Sequence, residues 1–473
     1  MTINRTAAAV LALLLAAACA APTPPRGQAG TTAGTVCAPP SGVPEAETAT
    51  TIDVIEQAYF CILGNYYSGA TLDARALLAA GFLALTQELN RDGRDVPEAT
   101  MPALTGDRKA DWAAFEAAYR RIADQAPDLR DTLAAVTLEA MVAALGDNHA
   151  RWTHDVKPPP DYYDGDGYGL GLQANVSGWQ VDGSSPRVAL APLFVTTVGG
   201  GAAQAAGLRP GDVIEAINGQ APFIRGDATP AIAALYPDYP DARPVRLRLL
   251  RQTTGRRWNV TLKPGLYPRD PATLRVVQSK LLDDDIAYVR MTGFAPDSAN
   301  RVLRAISRMR TGRTLAGVML DLRGNGGGSP VEVARLVSAF VHGKVTAYQC
   351  TVDGRCAKSS TDDTVELLNL PLVVLVDHGC ASACEHFSSA VKDLRIGRLV
   401  GTRTAGIISG PAQSYLLSNN TLLSFPDRHH LGPDHEVIDR IGVPPDQYVP
   451  LTPEDAAAEH DPALAKALTL LHK

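Results

Sequence analysis

The chain has 473 residues, 45% of them hydrophobic and 20% charged, a globular composition too long for one ordinary core, so two or three domains are expected. A formal net charge of -6, a pI near 5.9 and the absence of any Lys/Arg-rich run exclude the electrostatic footprint of a nucleic-acid-binding protein.

The N-terminus reads as an export signal over residues 1–19: a basic start at Met1–Arg5, an apolar stretch too short to span a membrane, and small residues before Cys19. Leu15-Ala-Ala-Ala-Cys19 resembles a bacterial lipobox, in which the cysteine becomes the lipidated first residue, with Ala16 where such signals usually place Leu. The competing reading is ordinary cleavage in the same tract. Lipidation of Cys19 implies a membrane anchor and a place in the cell envelope; simple cleavage implies a periplasmic or secreted protein. Residues 20–49, rich in Pro, Ala, Thr and Gly, are expected to form a flexible linker. Cys37, Cys61, Cys350, Cys356, Cys380 and Cys384 then form an even set in an oxidising compartment. Proximity favours Cys37–Cys61 and Cys350–Cys356. Cys380 and Cys384 are either bonded or two small buried thiols, and no paired CxxC set with His at zinc spacing points to a metal.

From residue 50 to 160 the apolar period is helical: Ile52, Ile55, Ala58 and Tyr59 recur at helix spacing, as do Leu129, Leu133, Val136 and Ala140. This predicts a helical N-terminal domain. Residues 165–265 change to alternating strands and Gly-rich turns. There Gly199 to Gly219, including Ala206-Gly-Leu-Arg-Pro-Gly-Asp-Val-Ile214, resembles the helix, turn and strand of a PDZ domain. In such domains a Gly-Leu-Gly-type loop holds a peptide's terminal carboxylate on backbone amides. Tyr168, Gly169, Leu170 and Gly171 match that loop; a plain Gly-rich hairpin is the alternative. Residues 270–473 alternate strands, at Ile286–Met291, Val318–Leu322, Leu372–Val376 and Arg398–Gly401, with helical stretches, which argues an α/β core.

Chemistry concentrates in that core. Leu372 to Glu385 is a buried-strand run, a turn and the small-residue start of a helix, with Ser382 at the corner where free backbone N–H groups can hold an oxyanion. Asp321-Leu-Arg-Gly-Asn-Gly-Gly-Gly-Ser329 also follows a strand. It lacks the Lys of a phosphate-binding loop, yet its glycines leave backbone N–H groups free of side-chain cover.

Together these segments resemble the S41 serine peptidases, the C-terminal processing proteases and the core of tricorn protease. Asp321 to Gly328 matches the family's strand and glycine loop, Ala381-Ser-Ala-Cys-Glu385 its Ser-Ala-Ser-Glu motif with Cys384 for the second serine, and Gly401-Thr-Arg-Thr-Ala-Gly406 its Gly-x-x-Thr-x-Gly. With Gly442-Val-Pro-Pro-Asp446 the resemblance spans residues 50–450. The processing proteases place a lysine base directly after Thr-x-Gly; here Ile407 stands there, and the only lysines after Ser382 are Lys392, Lys466 and Lys473. The tricorn-like branch instead takes a histidine from a Leu-Gly-x-x-His context and an acid before Gly-Val-x-Pro-Asp. Leu145-Gly-Asp-Asn-His149 and Asp439 fit it, with Asp where Glu is common.

The resemblance therefore implies an α/β, ClpP/crotonase-like spiral core with an inserted PDZ-like domain and a helical N-terminal domain. It implies catalysis by Ser382, His149 and Asp439, an oxyanion hole from Gly326 or Gly327 and Ala383, peptide or protein substrates recognised by a free C-terminus, and neither metal nor organic cofactor. Glu385 and Asp393 also match family positions, although a helical carboxylate there can simply cap or pair with Arg395. His378, His386, His429 and His430 carry no motif role, while His386, one helical turn past Ser382, is placed to line the site. Rival readings are a non-catalytic peptide-binding relative and a non-peptidase acyl hydrolase on the same architecture. The oligomeric state has no sequence signature.

Overall fold

A computed structural model describes residues 37–40, 46–94, 96–154, 159–163, 165–176, 190–237 and 239–472. The expected export signal, Cys19 and most of the linker lie outside the described residues.

Four helices come first: α1 (Ile52–Asn65), α2 (Ala74–Arg91), α3 (Arg108–Gln125) and α4 (Arg130–Ala143). Helix α1 turns Ile55, Ala58, Tyr59 and Ile62 inward at spacings of three and four. Asp73 and Asp107 cap α2 and α3 by accepting from first-turn N–H groups. On α4 the buried stripe is Leu133, Thr137, Leu138 and Met141, whereas Val136 and Ala140 are only half-buried. The phase differs from the expected one because Thr137 returns its hydroxyl to Leu133 O at 2.6 Å, so a polar residue sits inside at no hydrogen-bonding cost. Strand β1 (Arg151–Thr153) follows.

The next stretch holds β2 (Asp166–Gly169), β3 (Leu172–Ala174), β4 (Val195–Val198), α5 (Gly201–Ala205), β5 (Val213–Ile217), β6 (Phe223–Ile224), β7 (Asp227–Ala228), a 3-10 turn at Pro230–Leu235, β8 (Val245–Arg251), β9 (Arg256–Leu262) and β10 (Gly265–Pro268). It has its own core, in which Leu170, Leu172, Val195, Ile214, Ile217, Ile232 and Leu249 meet. Along β8, Val245, Leu247 and Leu249 point in and Arg246 and Arg248 out, the two-residue period of a sheet with one solvated face.

The remainder is α/β: β11 (Val277–Leu282), β12 (Ile286–Met291), α6 (Ser298–Arg310), β13 (Gly317–Asp321), α7 (Pro330–Ser338), β14 (Val345–Cys350), β15 (Cys356–Ser360), β16 (Leu372–Val376), α8 (Ala383–Asp393), β17 (Arg398–Gly401), β18 (Ala412–Leu416), β19 (Leu422–Pro426), β20 (His429–Leu431), β21 (Gln447–Tyr448), α9 (Pro453–Ala457) and α10 (Pro462–Leu471). A six-stranded sheet runs β11-β12-β13-β16-β17-β21, parallel except for the β11 edge. Its central strands are apolar on both sides, as parallel strands covered on both faces must be. Val318, Leu320, Leu372, Val374 and Val376 join the core of α6, α7 and α8 on one face, while Met319, Val373, Leu375 and Val400 meet Ala463, Ala467 and Leu471 of α10 on the other. Two smaller sheets flank it, β15-β14-β20 and β1-β19-β18, and the second brings β1 beside the core although it follows the first helices.

Three disulfides are formed: Cys37–Cys61 at the start of the fold, Cys350–Cys356 across the β14–β15 hairpin, and Cys380–Cys384. Loops at the carboxyl ends of β13 and β16 meet, the edge where parallel α/β sheets gather ligands.

Candidate active site

Ser382 closes the turn between β16 and α8 with φ 55° and ψ -119°, a left-handed strained conformation that pushes a non-glycine side chain out of the turn. Several bonds hold it there. Its N–H donates to Ile407 O at 2.8 Å and lies 3.2 Å from Glu385 Oε2, and Ala381 N donates to Asn325 O at 3.0 Å. Cys380 and Cys384, bonded to each other and fully buried, stand on either side of it.

His149 reaches this serine from 233 residues away in sequence, with Nε2 3.2 Å from Ser382 Oγ. Gly146, with φ +57°, ends α4, and Asp147 Oδ1 accepts the His149 N–H at 2.8 Å, which turns the chain toward β1. The ring's other nitrogen settles its tautomer. Asn148 Nδ2 donates to Asp439 Oδ1 at 2.9 Å and faces Gly406 O at 3.4 Å, so Asn148 Oδ1 is the atom 2.7 Å from His149 Nδ1. An amide oxygen only accepts; Nδ1 therefore carries the proton and Nε2 presents its lone pair to the serine hydroxyl. Burial pushes the imidazole below its ordinary value, opposed by Asp147 and then by Asp439, and Arg151 adds to the depression.

Asp439 thus stands beside Asn148, not on the imidazole. Its Oδ1 also accepts Ile408 N–H at 3.2 Å, and Oδ2 is 3.9 Å from Arg440 Nε.

The glycine loop packs directly on the serine turn. Gly327 has φ +98°, and a Cβ there would lie 2.7 Å from both Ala381 O and Ser382 Cβ, so only glycine fits. Buried Asn325 stitches the two loops together: Nδ2 donates to Met291 O and Oδ1 accepts Gly327 N–H, both at 2.9 Å. Gly327 N–H is thereby committed. Among the described residues neither Gly326 N–H nor Ala383 N–H has an acceptor.

Glu385 is fully buried and organises the opposite wall. Its carboxylate accepts from Thr404 Oγ1 and Gly406 N at 2.6 Å and from Ile407 N at 2.7 Å. Burial nonetheless pushes it up to about 7 against those hydrogen bonds. Lys392, at the far end of α8, donates to Pro444 O at 2.9 Å and lies 3.7 Å from Asp446, so it is occupied away from Ser382. Asp393 lies beside Glu436, not Arg395; burial, then the hydrogen bond with Asp393, raises Glu436 to about 8. Of the other histidines, His386 is buried with Nε2 3.1 Å from Thr346 Oγ1 and is pushed down to about 4 by burial; its ring lies 5.3 Å from that of buried His430. His378 is half-buried in the turn before Ser382, and His429 packs edge-on to Tyr67.

Around the expected carboxylate loop, Tyr168 donates its hydroxyl to Asp241 O at 3.1 Å, Gly169 and Gly171 have φ +130° and +80°, and buried Leu170 accepts Ala203 N–H at 2.9 Å. Tyr236 Oη accepts from Ala174 N at 3.0 Å, so the chain already uses one amide of β3. Sequence reasoning missed Asn148, Asp147, Ser409 and Asn325. The first two directly precede His149 inside the quoted motif, and that adjacency was the available signal.

A strained serine at a helix N-terminus, a tautomer-fixed imidazole on its Oγ and unpaired amides on the serine turn and the glycine loop packed against it form the arrangement of a serine hydrolase site. Residues 285–449 match the family model of Peptidase family S41. It is 28% identical over 340 residues, 68% of this chain, to a chloroplastic carboxyl-terminal-processing peptidase 2 of Arabidopsis thaliana. It is 28% identical over 301 residues, 60% of this chain, to a chloroplastic C-terminal processing peptidase of Tetradesmus obliquus. The chain spans 62% and 60% of the lengths of these two relatives. The crystal structure of mature CPAF shares the fold at 12% identity and a TM-score of 0.53, over 89% of this chain and 97% of that one.

Proposed function

We propose that the protein is a serine endopeptidase of the cell envelope that cleaves unfolded or C-terminally recognised proteins and peptides through an acyl-enzyme on Ser382. The observation that carries this reading is the 3.2 Å approach of His149 Nε2 to Ser382 Oγ, with Nδ1 held as the donor by Asn148. Ser382 Oγ attacks the scissile carbonyl as His149 takes its proton. The tetrahedral oxyanion sits on the N–H groups of Gly326 and Ala383; losing one such donor typically costs about 2.7–4 kcal/mol of transition-state stabilisation. His149 then protonates the departing amine, and a water activated by the same imidazole releases the acyl group. Asp439 acts on the ring through Asn148.

The relatives' names as processing peptidases support protein substrates. Residues 165–265 are read as a PDZ-like domain that takes a free C-terminus, residues 50–160 as a helical domain, and 270–473 as a spiral core. Export and lipidation at Cys19 rest on the N-terminal sequence.

Fluorophosphonate labelling tests the reading. Wild type should be labelled on Ser382 and should cut an unfolded-protein substrate, His149→Ala should abolish both, and Lys392→Ala should leave both intact. An unlabelled wild type beside labelled control hydrolases points to a non-catalytic binder. Ester turnover without any peptide cleavage points to an acyl hydrolase.

A further inference from the structure

His149 Nδ1 faces a second acceptor besides Asn148. Ser409 Oγ lies 3.1 Å from it, and the same hydroxyl lies 2.7 Å from Asp147 Oδ1. A carboxylate only accepts, so the Ser409 proton belongs to Asp147 and the Ser409 oxygen is left to accept from the imidazole. Asp147 is itself fixed, since Oδ1 takes the His149 backbone N–H at 2.8 Å and Oδ2 takes the Tyr66 hydroxyl at 2.9 Å. Ser409 is buried, and its carbonyl accepts His430 N–H at 2.9 Å, which pins the segment. The two arms differ in kind. Along the Asn148 arm a neutral amide separates the ring from Asp439, whose carboxylate already serves Ile408 N–H and Arg440. Along the Ser409 arm a single hydroxyl donates to Asp147 and presents its oxygen, polarised by that carboxylate, to the ring N–H.

We infer that Asp147, acting through Ser409, is the main anionic partner that orients His149 and stabilises its imidazolium, with Asn148 and Asp439 as a second brace. Both are positioning residues, and the inference rests on the acyl-enzyme reading only for its kinetic consequence. The charged and titratable groups facing His149 are Asp147 on its own segment, Arg151 on β1, Asp439 on the loop before Gly442, and His430 on β20.

The test uses full-length protein with 13C-labelled histidine, the His149 signal being assigned by its loss in His149→Gln. In Asp147→Asn the His149 midpoint should fall by about one pH unit, because an anion favouring the charged ring is gone. Ser409→Ala should slow Ser382 labelling by about ten- to a hundredfold, the loss usual when a histidine's supporting partner is removed, and Ser409→Thr should restore most of it. A merely structural role moves neither the midpoint nor the Thr rescue. An unmoved midpoint in Asp147→Asn, or wild-type labelling in Ser409→Ala, overturns the inference. Failure of the acyl-enzyme reading looks different: His149→Ala would label as fast as wild type while the midpoint still shifts in Asp147→Asn.

Discussion

Thr404 donates its hydroxyl to Glu385 Oε1 at 2.6 Å and accepts Val443 N–H at 2.7 Å, so one buried threonine ties the nucleophile's helix to the chain that carries Asp439. Thr404→Val keeps the shape and removes both bonds, leaving Val443 N–H unpaired. Stability should drop by about 2 kcal/mol in urea unfolding, and Ser382 labelling should slow as well. Loss of stability with an unaltered labelling rate would separate this link from the site.

Two buried groups oppose each other in pH. Glu385 has its folded value raised from 4.5 to about 7, so the folded state binds the extra proton, and the stability this provides is lost as pH rises through that window. His386 is depressed from 6.5 to about 4; its contribution is complete above the upper value and is lost as pH falls. Relative to wild type, Glu385→Gln should make stability rise more steeply between pH 4.5 and 6.5, and His386→Asn should flatten or reverse that rise. Urea unfolding at several pH values measures both slopes, and parallel curves would refute the assignment.

Gly327→Ala places a methyl group 2.7 Å from Ser382 Cβ at a φ of +98°. The serine turn must yield. Labelling should fall by about a hundredfold, the effect of displacing a reacting atom by roughly 1 Å, while the fold persists by circular dichroism.

The Cys380–Cys384 bond closes a short loop around the nucleophile and should contribute about 2 kcal/mol by restricting the unfolded chain. The double variant Cys380→Ala/Cys384→Ser should melt at lower temperature and label more slowly. It should also lose any response of labelling to dithiothreitol; a response that survives would have to come from Cys37–Cys61 or Cys350–Cys356.

How much could be read from the chain depended on distance along it. Leu372–Val376 is five consecutive apolar, strand-favouring residues followed by a turn, so β16 and the corner serine were legible locally. His149 and Ser382 share no local pattern, being 233 residues apart, and only the family motif joined them. Asp147 and Ser409 are 262 apart, and a serine before a glycine looks like any turn until β18 and β20 bring that segment back to the first helices. Asp439 was placed on the imidazole because family order carries no account of what stands between, and Asn148 fills that gap. The β14–β15 hairpin escaped notice because its strands, Val345–Cys350 and Cys356–Ser360, mix polar with apolar residues and lack the continuous apolar run of β16.

Helix α10 has a temporal meaning. It alone lays Ala467 and Leu471 over Met319, Val373 and Leu375, and Leu471 seats against Gly317, where a Cβ would meet it at 2.7 Å. Synthesis proceeds from the N-terminus, so His149, the glycine loop and Ser382 all leave the ribosome before the segment that seals the second face of their sheet. Chain order therefore places every candidate reactive group ahead of the helix that covers the far face of the sheet beneath them.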